Sequence, residues 1–209
     1  MALYHFSVRH VSRGKGQMVV ASAAYISGQR IYDGYYNKIH DYTSKSGVVF
    51  TEILTPEYVP ERMTDRETLW NEVEHVERNN KAQLAYSFDI ALQSELTLEE
   101  NIRLAKEFCQ EQFVVRGMIV DLAVHEGKSD NEEEPDNPHF HVLAPIRPFT
   151  EEGIWGNKQR REYILDEDGN RVKDAKGKDM FNAVSTTGWN DPEPVSYTHL
   201  RAHETRSNL

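Results

Sequence analysis

Two spacings of apolar positions divide this chain. Tyr4-His5-Phe6-Ser7-Val8-Arg9 and Ala85-Tyr86-Ser87-Phe88-Asp89-Ile90-Ala91-Leu92 alternate with period two, which predicts strands with one face turned to a core. Three further runs, Val48 to Leu54, Met118 to His125 and Phe140 to Ile146, have strand length and apolar content. Helical spacing takes over at Leu69, Trp70, Val73 and Val76, behind a capping box read as Thr64-Asp65-Arg66-Glu67. A second helix, behind Thr97-Leu98-Glu99-Glu100 and running to about Phe113, presents Ile102, Leu104, Ala105, Phe108 and Cys109 on its apolar side. On the first of these helices Glu72, Glu74 and Glu77 are assigned to the solvated face. A short helix of small residues, Ala21 to Ser27, ends at Gly28 as its C-cap and leaves Tyr25 as the large polar group able to reach outward. The pattern predicts an α/β domain of the α+β type. Its central sheet is mainly antiparallel and flanked by two amphipathic helices, with the short helix laid across one face. Beyond Pro148 the chain turns polar, and the turns at Asp168-Gly169-Asn170 and Lys176-Gly177-Lys178 predict an extended arm or a hairpin.

At 209 residues the chain is long enough for one well-packed domain. No run approaches the ~20 apolar residues of a membrane span, and the first residues lack the charged start and apolar stretch of a signal peptide. With one cysteine, Cys109, no internal disulfide can form. Both features fit a protein of the reducing cytoplasm. The net charge of -10 argues against nucleic acid until its distribution is read. Residues 1–50 carry six Lys/Arg against two Asp/Glu, whereas residues 51–100 carry four against twelve. One local basic surface can hold a phosphate backbone while remote helices are acidic.

The chemistry centres on Asn137-Pro138-His139-Phe140-His141. Successive side chains of a strand point to opposite faces, so His139 and His141 share one face while Phe140 and Val142 enter the core on the other. A neighbouring antiparallel strand ending at His125 would set a third imidazole beside the pair. Three neutral imidazoles converging on one point make a divalent-metal site with open coordination positions. Equally, His-x-His on a strand can be a pair of ordinary surface or core histidines. Asp89 falls on the strand face where a carboxylate can serve a histidine N–H or the metal shell. The loop Ser12-Arg13-Gly14-Lys15-Gly16-Gln17 offers amides and cations to phosphates, or is a solvated turn. Tyr32, Tyr35, Tyr36 and Tyr42, interleaved with Lys38 and Lys45 in a loop-like stretch, suit base stacking as well as an ordinary structured loop.

Together these pieces resemble the relaxase domain of the MobA/MobL family of plasmid mobilisation proteins, a branch of the HUH endonucleases. The resemblance is carried by Tyr4-His5-Phe6, Ser12-Arg13-Gly14, Ala23-Ala24-Tyr25-Ile26-Ser27-Gly28, Asp41-Tyr42, Leu69-Trp70-Asn71, Ala91-Leu92 with Glu95-Leu96, Ala123-Val124-His125 and Asn137-Pro138-His139-Phe140-His141. It implies the HUH relaxase fold over residues 1–194, Tyr25 as nucleophile, and His125, His139 and His141 as metal ligands. Asp89 is implied as a catalytic carboxylate beside the histidines, Glu95 as a secondary acidic position, and Tyr32 as a further tyrosine. At Ser87 some relatives carry a glutamate. The implied reaction nicks one strand at a plasmid transfer origin, leaving a 5′-phosphotyrosine link and a free 3′-hydroxyl. Its partners would be single-stranded origin DNA, accessory mobilisation proteins and the coupling protein of the transfer apparatus. DNA contacts are expected from Arg9, Arg13, Lys15, Tyr32, Lys158, Arg160 and Arg161. Ligand softness favours Mn²⁺ or Zn²⁺ on three imidazoles, while cellular abundance keeps Mg²⁺ open. Two other readings are a rolling-circle replication or transposition nuclease of the same chemistry and a truncated origin-binding protein that does not cleave. A three-histidine hydrolase acting on small molecules would leave Tyr25 dispensable. Residues 195–209, including Tyr197-Thr198-His199-Leu200-Arg201-Ala202-His203, fit nothing before them and resemble a translated sequencing adapter or a disordered tail.

Overall fold

The alternating segments become one sheet. In the computed structural model, which describes residues 5–127 and 137–190, the chain forms two compact units, Met1–Gly156 and Asn157–Leu209. Tyr4 and the 195–209 tail lie outside the described residues. The first unit runs β1 (Phe6–Ser12), α1 (Val19–Ser27), β2 (Arg30–Asp33), β3 (Lys38–Asp41), β4 (Val48–Leu54), α2 (Arg66–Val76), β5 (Gln83–Ala91), α3 (Leu98–Gln112), β6 (Val120–His125) and β7 (His139–Pro145). Five strands pair antiparallel in the order β1-β5-β7-β6-β4, with α1, α2 and α3 against them, as the period-two pattern predicts.

Side-chain alternation sorts the sheet into two faces. On β7, Phe140 points to the α3 side and meets Phe108 of that helix. His139, His141 and Leu143 point the other way, toward α1 and α2, where Leu143 joins a core with Val19, Val20, Ala23, Leu69, Trp70 and Val73. Burying each such Val or Leu contributes about 1.5–3 kcal/mol. The register sets His125 opposite His139, and both Ala123 and Asp89 opposite His141.

Helix α1, which carries Tyr25, has nine residues, too few to be stable alone in water. Its neighbours hold both ends. At the N-terminus, Glu74 accepts the Val19 N–H (3.1 Å) and is itself paired with Arg13 at 2.6 Å. At the C-terminus, Gly28 takes φ 63°, the left-handed conformation that favours glycine, and its N–H closes on Ala24 O. A Cβ at Gly28 would also stand 3.2 Å from the Val48 side chain. The next residue, Gln29, accepts from Arg66 (2.8 Å), which forms an ion pair with the buried Asp121.

Several local expectations change. The cap of α2 is Asp65, not Thr64: Asp65 accepts the Thr68 N–H, while a short 3₁₀ turn over Glu61–Thr64 engages the Thr64 hydroxyl with Glu61 O. Glu67 is drawn away to the Tyr32 N–H. Glu74 and Glu77 are buried rather than solvated, because Arg13 and Arg147 form ion pairs with them. On α3 Leu104 faces solvent, whereas Ala105 and Cys109 are buried as expected, together with Asn101. The tyrosine-rich stretch is not a loop but the β2–β3 ribbon, with Ile31 paired to His40. The box at Thr97 and Glu100 forms as expected.

The second unit contains the antiparallel hairpin β8 (Gln159–Tyr163) and β9 (Phe181–Ser185), the hairpin alternative of the two expectations. Its intervening turns repeat one device. Asp166 accepts the N–H groups of Asp168 and Asn170, and Asp174 those of Lys176 and Lys178. Gly169 and Gly177 both take positive φ in these turns.

Candidate active site

The three predicted histidines come together at the ends of two adjacent strands. One ligand atom from each of His125, His139 and His141 lies within 4.8 Å of the others, and the ring centroids are 4.7–5.2 Å apart. Backbone carbonyls orient two of the rings. His125 Nε2 lies 2.7 Å from Ile26 O, and His139 Nδ1 lies 2.8 Å from Asn137 O. A carbonyl only accepts, so each of those nitrogens carries the proton, and the other nitrogen of each ring keeps its lone pair for a cation. Asn137 is tied in turn to Gly127 through its N–H (2.9 Å), which closes the loop between β6 and β7 at its base.

Burial, reinforced by neighbouring positive charge that includes Lys45, pushes His125 below the ordinary histidine range and His141 down to about 4. Both rings are therefore neutral at physiological pH, the form that binds metals. Three imidazoles with one ligand atom from each this close together fit a divalent ion.

Helix α1 crosses this end of the sheet. Tyr25 is 50 % exposed and lines a cleft of about 430 Å³ together with Arg9, Gln17, Ser87, Asp89 and His141. Asp89 also lines a second cleft, of about 300 Å³, with His139 and Asn137, so this residue borders both openings. Lys45 Nζ lies 3.8 Å above the Tyr25 ring, and Tyr42 meets that ring edge-on with centroids 5.4 Å apart.

The family model for "MobA/MobL family" matches residues 17–208. The chain belongs to the MobA/MobL family. The conjugal transfer protein TraA of Agrobacterium fabrum (strain C58 / ATCC 33970) is 35% identical over 221 residues, covering 100% of this chain and 19% of that protein. The probable mobilization protein MobA of Bifidobacterium longum (strain NCC 2705) is 34% identical over 174 residues, 82% of this chain and 30% of its own length. A solved structure described as the molecular basis of vancomycin resistance transfer in Staphylococcus aureus shares 37% identity and a TM-score of 0.69, over 76% of this chain and 78% of that one. The MobA/MobL chain thus spans well under half the length of these two curated relatives while sharing the fold of the solved one.

Other predicted positions fall elsewhere. Arg13 is buried, and its guanidinium donates to Glu74, Glu77 O and Asn79 O. It braces the loop and α2, which leaves Arg9 and Lys15 as the exposed cations of that segment. Tyr32 lies on the β2–β3 ribbon, is half exposed, and donates its hydroxyl to Asn37 rather than lining the Tyr25 cleft. Glu95 is exposed in the turn after β5, beside Ser94. In the second unit Arg160 pairs with Glu162 (2.7 Å), Arg161 stacks over Phe181, and Lys158 is half-buried. Sequence reasoning missed the two orienting carbonyls of Ile26 and Asn137. A carbonyl leaves no residue-type signal, although the turn-forming Asn137-Pro138 marks one of them. Among the described residues, no helix is long and apolar enough to cross a membrane.

Proposed function

We propose that this MobA/MobL domain is a metal-dependent single-strand DNA endonuclease and transesterase that nicks a plasmid transfer origin for mobilisation. The observation that carries the reading is the cleft shared by Tyr25, Asp89 and His141, with His125 and His139 at the same strand ends. Tyr25 is the nucleophile. Its phenolic oxygen forms a bond to the scissile phosphorus as the phenol proton leaves. The P–O3′ bond then breaks with its electron pair on the 3′ oxygen, which takes up a proton. The products are a 5′-phosphotyrosine and a free 3′-hydroxyl, and the same step run backwards rejoins the strand.

A divalent ion, Mn²⁺, Mg²⁺ or Zn²⁺, held by His125, His139 and His141 would supply positive charge to the phosphate oxygens. Asp89, across the strand pair from His141, would place a carboxylate beside that ring and at the lining of the cleft. Arg9 and Lys15 hold the DNA backbone on the first unit, and Lys158, Arg160 and Arg161 serve the second, with Tyr32 as a stacking surface. Accessory mobilisation proteins and a coupling protein complete the assembly in the cytoplasm. Relatives named for conjugal transfer and mobilization favour this reading over a replication nuclease.

The test is denaturing electrophoresis of the chain with labelled single-stranded origin oligonucleotides and Mn²⁺, beside Tyr25→Phe and His139→Ala. A covalent protein–DNA band lost in both variants is the expected result. Cleavage that survives Tyr25→Phe removes Tyr25 as nucleophile, and a folded, metal-loaded wild type that binds origin DNA without linking to it is an origin-binding protein instead.

A further inference from the structure

A half-exposed tyrosine at the end of a short helix has freedom that a nucleophile cannot use, because the reacting oxygen must be aligned with the phosphorus to within a fraction of an ångström. Two contacts limit that freedom here. Lys45 Nζ sits 3.8 Å over the face of the Tyr25 ring, and the Tyr42 ring meets it edge-on at 87°. Together the two contacts restrict how the ring can turn and swing.

Both contacts come from one five-residue segment, and that segment is itself fixed. Lys45 N–H donates to Tyr42 O (2.9 Å) to close the turn. Asp41 at its start accepts from both the N–H and the hydroxyl of Thr43. The Tyr42 N–H donates to Gln29 O at 3.2 Å, one residue beyond the C-cap of α1. Lys45 Nζ also donates to Tyr25 O at 3.0 Å, a carbonyl in the last turn of α1 that has no partner within the helix. A cation is stabilising at that end of the helix dipole. One ammonium therefore grips the backbone and the ring of the same residue.

We propose that the Tyr42–Lys45 turn is a holder for the Tyr25 side chain, with Lys45 as a positioning residue for strand transfer. The assignment rests on Tyr25 being the nucleophile. It gives Lys45 a role distinct from general attraction of DNA. Arginine preserves the charge and the stacking geometry, whereas methionine preserves the length of the side chain and removes both.

Two readouts test this, one of them independent of DNA. In tyrosine-labelled ¹³C NMR of the metal-loaded chain, with the Tyr25 ring signal identified by its loss in Tyr25→Phe, Lys45→Met should move that signal toward the value of a free tyrosine. Lys45→Arg should leave it in place. In single-turnover adduct formation at saturating oligonucleotide and Mn²⁺, Lys45→Met should slow the step on the order of tenfold with unchanged half-saturation, and Lys45→Arg should restore most of the rate. An unmoved Tyr25 signal in Lys45→Met overturns the holder, as does an arginine variant as slow as the methionine one. A wild type that forms no adduct sinks the transesterase reading, and the NMR shift then decides the holder by itself.

Discussion

Asp121 and His125 stand four residues apart on the same face of β6, and their surroundings are opposites. Asp121 is fully buried and accepts from Arg66 Nε (2.9 and 3.0 Å), from the second Arg66 nitrogen (2.8 Å) and from Trp70 Nε1 (2.8 Å). Every strong polar direction of that carboxylate ends on protein. About thirteen ångströms of strand further on, the imidazoles of His125, His139 and His141 turn toward one another, with carbonyls on the outer nitrogens of two of them. A buried charge closed by its own partners is scaffold. Polar groups of one kind that converge while their supports face outward leave room for something between them. The contrast separates structural from chemical polarity on a single strand, and it can be broken by substitution.

The largest effect is expected at the closed cluster. Asp121→Ala leaves Arg66 buried without its partner and should cost about 3–5 kcal/mol. By calorimetry that is a fall of roughly 6–20 °C in melting midpoint for a chain of this size, with no change in metal affinity of the folded fraction. At the open cluster the two readouts should exchange places. His139→Ala should weaken Mn²⁺ or Zn²⁺ binding in titration calorimetry by more than about 100-fold, beyond what loss of an outer partner costs. Its metal-free stability should move by less than about 1 kcal/mol. A large loss of metal-free stability in His139→Ala would erase the distinction between the clusters. Asp89→Asn keeps the shape of the side chain and removes its charge, so metal affinity or adduct rate should drop about 10–100-fold in a normally folded protein. At the small end, Thr97→Ala removes the cap of α3, on the far face of the sheet. It should cost about 1 kcal/mol in chemical denaturation and leave metal binding and adduct formation alone.

The same contrast explains what could be read from the chain. Histidine spacing on strands was legible because strand periodicity leaves two side chains two residues apart on one face. The antiparallel pairing that brings in His125 follows once a loop joins the two strands. The individual strands and the Thr97 cap were legible for similar reasons, since each rests on a local period or a three-residue spacing, whereas the strand order was not. Glu74 and Glu77 were misread because a carboxylate on a helix reads as solvated until a distant partner is known. Their partners, Arg13 and Arg147, lie about 60 and 70 residues away in sequence. Arg13 was misread for the same reason, as its basic loop resembles a phosphate cradle while its guanidinium is turned into the core. The β2–β3 ribbon was missed because its four-residue strands carry too few apolar positions for alternation to stand out. The cap of α2 slipped by one residue because Thr64 and Asp65 are both good caps, and only the preceding 3₁₀ turn chooses between them.

The nine residues around Tyr25 are held by Glu74 at one end and by Lys45, by Arg66 through Gln29, and by His125 at the other. Those anchors are scattered from residue 45 to residue 125, so the tyrosine segment is not an exchangeable cassette. A recombination between two relatives whose crossover falls just after Gly28 would set one parent's tyrosine among the other parent's anchors. A crossover near residue 157 would keep every anchor with its own tyrosine. Shuffled genes of this family should therefore retain strand-transfer activity far more often when the joint lies at the start of the second unit than when it lies inside the first.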